Sequence, residues 1–73
     1  MTYPTTSRCN VAVVGCGYWG QNLVRNFAEL GALAAVCDND EELAAKHASN
    51  YQVARNSWKN ILSDKNIDAV SIA

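Results

Sequence analysis

Three glycines, Gly15, Gly17 and Gly20, and one acid, Asp38, are the residues whose types and spacing could do chemistry. The run Gly15-Cys16-Gly17-Tyr18-Trp19-Gly20 fits Gly-x-Gly-x-x-Gly. Alone, that match is weak, because a plain strand–helix turn in a flavodoxin-like fold uses glycine too. Its placement strengthens it. A β-branched run precedes the motif, a helical pattern follows it, and Asp38 ends the next apolar run at the expected spacing of roughly 20 residues. Gly15 allows the tight turn, Gly17 lets backbone approach a diphosphate, and Gly20 lets the helix lie close to its strand. The N–H groups of Tyr18, Trp19 and Gly20 would then face phosphate, aided by the positive end of the helix dipole. A carboxylate at position 38 would accept bonds from adenosine ribose hydroxyls and repel a 2′-phosphate. The residues after it, Asn39, Asp40 and Glu41, bring no arginine to receive that phosphate. The chemistry implied is binding of NAD in preference to NADP, with Asp38 and Asn39 at the ribose.

The elements that must position this motif follow from hydrophobic period. Asn10 to Gly15 and Ala32 to Cys37 are short apolar runs suited to strands covered on both faces. Between them Leu23, Val24, Phe27 and Leu30 share one helical face, and Gly31 stands where a C-terminal cap glycine is expected. Asn39 or Asp40 can cap the next helix, and Asn39 with Glu42 has capping-box spacing. In that helix Leu43, Ala44, His47, Ala48 and Tyr51 share a face. Gln52 to Arg55 reads as a brief third strand, and Ser57 caps a short helix carrying Trp58, Ile61 and Leu62. Asp64 to Asn66 reads as a turn, and Asp68 to Ala73 opens a fourth strand.

The order β-α-β-α-β-α-β predicts an α/β fold, the first half of a doubly wound parallel Rossmann sheet joined by right-handed crossovers. Residues 1–8 read as a flexible tail and 9–73 as the N-terminal part of a dinucleotide-binding domain. One short helix cannot cover the second face of such a sheet, so the expected domain is incomplete within these 73 residues.

Composition narrows the partners. Six Lys+Arg against seven Asp+Glu, with the basic residues scattered, lack the footprint of a nucleic-acid binder. The apolar runs are too short to span a bilayer, and the N-terminus has no apolar signal segment. Cys9, Cys16 and Cys37 form no paired spacing and His47 is the only histidine, so neither a disulfide framework nor a metal site is expected. Free thiols suit a cytoplasmic protein. Cys16 reads as a small filler and not a nucleophile, His47 as a packed histidine and Trp58 as a packing anchor. Tyr18 and Trp19 could touch ligand or pack against further chain.

The run Val11 to Phe27 resembles the N-terminus of the glucose–fructose oxidoreductase/inositol dehydrogenase (Gfo/Idh/MocA) family. So do Ala35-Val36-Cys37-Asp38, Ser57-Trp58 and Ile67 to Ala73. Within the family, Gly17-Tyr18-Trp19-Gly20 looks most like members acting on nucleotide-linked sugars, such as UDP-N-acetylglucosaminuronate 3-dehydrogenases. The resemblance implies an NAD(P)-dependent enzyme exchanging a hydride with a sugar or cyclitol carbinol. It further implies a C-terminal α+β domain that forms the substrate site and the interface of a homo-oligomer. Gly15, Gly17, Tyr18, Trp19 and Gly20 match the family's pyrophosphate loop, Asp38 its ribose acid, and Ala73 the end of the fourth strand beside the adenosine. The family's Glu-Lys-Pro lysine would follow a fifth strand, so no catalytic residue is expected among these 73.

Three other readings share parts of the pattern: an FAD-binding βαβ unit, an S-adenosylmethionine methyltransferase, and a redox-sensing regulator that binds NAD without turnover. Asp38 could also be only a helix cap. If Asp38 holds the ribose, Asp38→Ala weakens NAD more than NADP, since each lost charge-assisted hydrogen bond is worth roughly 1.5–3 kcal/mol. Dissociation constants for both dinucleotides check this, and an unchanged NAD/NADP ratio removes Asp38 from the ribose site.

Overall fold

The computed structural model describes residues 9–73. The tail expected at 1–8 lies outside the described residues. The element order is β1 (Val11–Val14), α1 (Gly20–Glu29), β2 (Leu33–Cys37), α2 (Glu41–Tyr51), β3 (Ala54–Arg55), α3 (Trp58–Ser63) and β4 (Ala69–Ile72). All strand pairs are parallel, and the spatial order is β3-β2-β1-β4. Consecutive strands β1, β2 and β3 run outward in one direction, and the crossover through α3 returns β4 to the other side of β1. That reversal is the doubly wound topology, and it makes the ends of β1 and β4 a switch point.

Strand side chains alternate between the faces. On one face Val13 and Val36 pack with Cys16, Val24 of α1 and Ala48 of α2, flanked by Leu23, Phe27, Leu43 and Tyr51. On the other, Ala12, Ala35 and Cys37 pack with Ile61 of α3, flanked by Val14, Ile67 and Val70. Small residues dominate that second layer, and a helix of only six residues covers it. Ile72 and Leu62 stay largely exposed there.

Local capping sets most boundaries. The Asp40 carboxylate accepts from the Leu43 N–H at 3.1 Å and starts α2, so the capping box expected between Asn39 and Glu42 does not form. Asp40 takes that role because it alone precedes the helix directly with extended backbone. Ser57 caps α3 through the Asn60 N–H at 3.2 Å. Gly31, at φ 72°, follows the C-cap Leu30 as expected. Leu30 itself departs from the expected apolar face: the helix ends before it, and its side chain is 72% exposed. Gln52 is also not strand. It ends α2 in the left-handed conformation, which leaves only Ala54 and Arg55 to pair with β2.

Ile61 is the one α3 residue buried against the sheet. Ile61→Ala should therefore cost about 2–5 kcal/mol, the range for such truncations. Urea unfolding measures it, and a loss comparable to that of Leu62→Ala would show that α3 does not hold the second layer.

Candidate cofactor-binding edge

The carboxyl end of β1 leads into a loop that glycine alone fits at two points. Gly15 has φ 95°, a left-handed conformation that costs other residues strain, and a Cβ there would meet the Ala73 carbonyl oxygen at 3.2 Å. At Gly20 a Cβ would fall onto the Gly15 carbonyl oxygen, so the first turn of α1 lies hard against the loop it leaves. A Cβ on Gly17 would meet nothing within 4 Å. The protein's own packing does not require glycine at 17; the bare backbone there faces open space.

The start of α1 has no side-chain cap. Among the described residues, the backbone N–H groups of Gly17, Tyr18, Trp19 and Gly20 donate to no protein acceptor, whereas the Gln21 N–H turns back to the Gly17 carbonyl at 2.9 Å. These donors are what an anion at a helix N-terminus uses. Tyr18 and Trp19 stand 75% and 72% exposed, in edge-to-face contact with ring centroids 5.3 Å apart.

Asp38 leaves the end of β2 and reaches back to this loop. Its Oδ2 accepts from the Cys16 N–H at 2.7 Å and its Oδ1 from the Asp40 N–H at 2.8 Å. It therefore does not cap a helix, which is the role of Asp40. The Cys16 bond, then the Asp40 bond, with a further contribution from His47, hold the Asp38 carboxyl below its ordinary value. Each carboxylate oxygen retains acceptor capacity beyond its one backbone bond. Cys16 is fully buried, and burial together with the Asp38 charge pushes its thiol up, away from a nucleophilic thiolate. His47 is buried with Nδ1 unpartnered, between α1 and α2.

Clefts run along this edge of the sheet. One of about 220 Å³ is lined by Gly15, Gly17, Tyr18, Trp19, Gly20 and Ala73. A second, of about 350 Å³, is bounded by Gly15, Ala73, Ile72, Asp38, Asn39 and Trp58. A third, of about 380 Å³, shares Asp38, Asn39 and Trp58 and continues to Arg55, Asn56 and Ser57. All eight residues expected from the sequence, Gly15, Gly17, Tyr18, Trp19, Gly20, Asp38, Asn39 and Ala73, thus lie along one edge. Sequence reasoning missed Arg55. No arginine follows Asp38 directly in the sequence, whereas the β3-β2 pairing sets the end of β3 beside the end of β2. Trp58, expected as a packing anchor, is 43% exposed and lines two of the clefts.

This edge has the parts that NAD requires: an open glycine backbone, free N–H donors and an acid at the second strand end. Among the described residues no group of side chains could hold a metal ion, and no helix is long and apolar enough to cross a membrane.

Asp38 contributes to stability through the bonds that depress its pKa. Such a carboxylate stabilises the fold above its unfolded value, and the contribution disappears as pH falls through the folded one. Stability of the wild type should hold above about pH 4 and decline below it, with a weaker decline in Asp38→Asn. Urea midpoints between pH 6 and pH 2.5 test this, and parallel curves for the two proteins would exclude the carboxylate.

Comparison with known proteins agrees with this geometry. Residues 9–73 match the model of the Gfo/Idh/MocA oxidoreductase family, described as an NAD-binding Rossmann fold. A protein assigned as a myo-inositol dehydrogenase from Sinorhizobium meliloti 1021 superposes with a TM-score of 0.84 at 22% identity, over 89% of this chain and 20% of its own. The UDP-N-acetylglucosamine 3-dehydrogenase GnnA from Acidithiobacillus ferrooxidans gives a TM-score of 0.74 at 27% identity, over 90% of this chain and 21% of its own. The chain thus spans about a fifth of the length of either structure. No curated protein matches it at significant similarity. On the strength of the family match, the chain belongs to the Gfo/Idh/MocA oxidoreductases, as part of their NAD-binding Rossmann fold.

Proposed function

We propose that residues 9–73 are the N-terminal part of the dinucleotide-binding domain of an NAD-dependent dehydrogenase acting on a sugar or nucleotide sugar. The observation that carries this reading is the 2.7 Å bond from the Cys16 N–H to Asp38, which joins the uncapped glycine loop and the acid into one edge. Along that edge the N–H groups of Tyr18, Trp19 and Gly20 hold the pyrophosphate, and Gly17 lets it approach the backbone. Asp38 and Asn39 take the adenosine ribose, and Ala73 borders the adenosine. NAD, when bound, supplies the hydride acceptor; this segment contributes placement and electrostatics. None of these residues is assigned a catalytic role.

The substrate class rests on likeness. GnnA is named as a UDP-N-acetylglucosamine 3-dehydrogenase, and the other solved relative as an inositol dehydrogenase. Both substrates named are polyhydroxylated rings. The family resemblance further suggests a homo-oligomer whose substrate site lies in a separate domain, and the free cysteines Cys9, Cys16 and Cys37 suit a reducing cytoplasm.

Calorimetric titration of the full chain with NADH tests the cofactor site. NADH should bind with a 1:1 stoichiometry per chain, and Gly17→Val should weaken it at least tenfold while leaving the unfolding midpoint unchanged. NADH binding unaffected by that substitution would overturn the assignment of the loop.

A further inference from the structure

The cleft beyond Trp58 holds a cation that the NAD reading does not use. Arg55 is the last residue of β3 and lines the cleft of about 380 Å³ that begins at Asp38 and Asn39. Its Nη1 donates only a 3.4 Å bond to the Glu41 carbonyl, which steers the guanidinium without neutralising it. Among the described residues Arg55 forms no ion pair. Among the described residues it is also the only cation lining the three clefts along the sheet edge.

A ribose held at Asp38 has one neighbouring position where an added group matters, the 2′ oxygen. A phosphate there would meet Asp38 and would require a nearby guanidinium to offset the repulsion. We propose that Arg55 is a cofactor-specificity residue: it receives the 2′-phosphate of NADP in the cleft between β2 and β3, so that the protein binds NADP as a second, weaker ligand. The inference rests on the placement of NAD proposed above. Asp38 and Glu41 line the same cleft and bias it against a dianion; Arg55 offsets that bias without reversing it. Further donors stand close by. The Ser57 Oγ accepts from the Asn60 N–H and keeps its own hydrogen free, and Asn39 and Asn56 also line the cleft.

Arg55 lies on an exposed strand of only two residues, so replacing it leaves both buried clusters intact. The test is calorimetric titration of the full chain and its Arg55→Ala and Arg55→Lys variants with NADH, NADPH, AMP and adenosine 2′,5′-bisphosphate. Wild type should bind NADPH measurably, though less tightly than NADH, and the bisphosphate more tightly than AMP. Arg55→Ala should weaken NADPH and the bisphosphate about tenfold, the scale of one lost charge-assisted contact, while NADH and AMP stay within twofold. Arg55→Lys should recover part of the loss, because it restores the charge without the planar fork. Equal losses for NADH and NADPH would overturn the proposal, placing Arg55 on the shared adenosine. So would an unchanged NADPH affinity, or wild type that binds NADH and ignores NADPH. If wild type binds neither dinucleotide, the cofactor reading falls as well, which separates the two failures.

Discussion

The hydrogen bond from the Cys16 N–H to the Asp38 carboxylate is the contact on which the rest of this edge depends. It spans two strands that the parallel sheet has already brought side by side, since Val14 pairs with Cys37 one step before each turn begins. The Gly15 N–H donates to the Cys37 carbonyl at 2.8 Å, so backbone and side chain of the β2 end grip two successive residues of the loop. Charge-assisted bonds of this length are roughly twice as strong as neutral ones. With Asp38 fixed at both oxygens, the loop and the acid form one rigid unit. A ligand bridging them meets a surface already organised, which reduces the ordering cost of binding.

The glycines divide the labour around that unit. At Gly20 the reason is contact, because the Gly15 carbonyl occupies the place of a side chain; at Gly15 it is chiefly backbone conformation. Gly17 has neither reason within the chain, and its surroundings are open. A residue that folding does not need as glycine, flanked by N–H groups without protein acceptors, points to a demand from outside the fold. Steric accounting thus separates the glycines that build the turn from the one that faces open space.

Much of this was legible in the sequence, for identifiable reasons. Val11 to Val14 and Leu33 to Cys37 are apolar runs bounded by glycine or acid, and both are strands. Ala44, His47 and Ala48 recur at helical spacing and are buried as that spacing requires. What failed was local competition or tertiary placement. Asn39 and Asp40 both suit a cap, and only backbone conformation decides between them. Leu30 fits the apolar face by period but falls beyond the last helical turn. Arg55 escaped notice because nothing in the string from Asp38 to Glu41 reveals which later residue the sheet order carries back beside it.

The placement of Arg55 changes how the charges of the edge should be understood. The glycine loop carries no cation, and backbone dipoles alone face the pyrophosphate position proposed there. These are fixed by the fold and insensitive to pH, while being indifferent to what lies at the adenosine 2′ oxygen. On the proposed placement of the ribose, discrimination at that oxygen would belong to Asp38, whose carboxylate also accepts from the Cys16 N–H of the loop. Loosening selectivity by removing the acid would therefore also loosen the pyrophosphate site. A cation on the neighbouring strand, bonded to the Glu41 carbonyl, would act on the same oxygen without touching the loop. Under the proposed placement, structure and selectivity would be coupled at Asp38 and separable at Arg55.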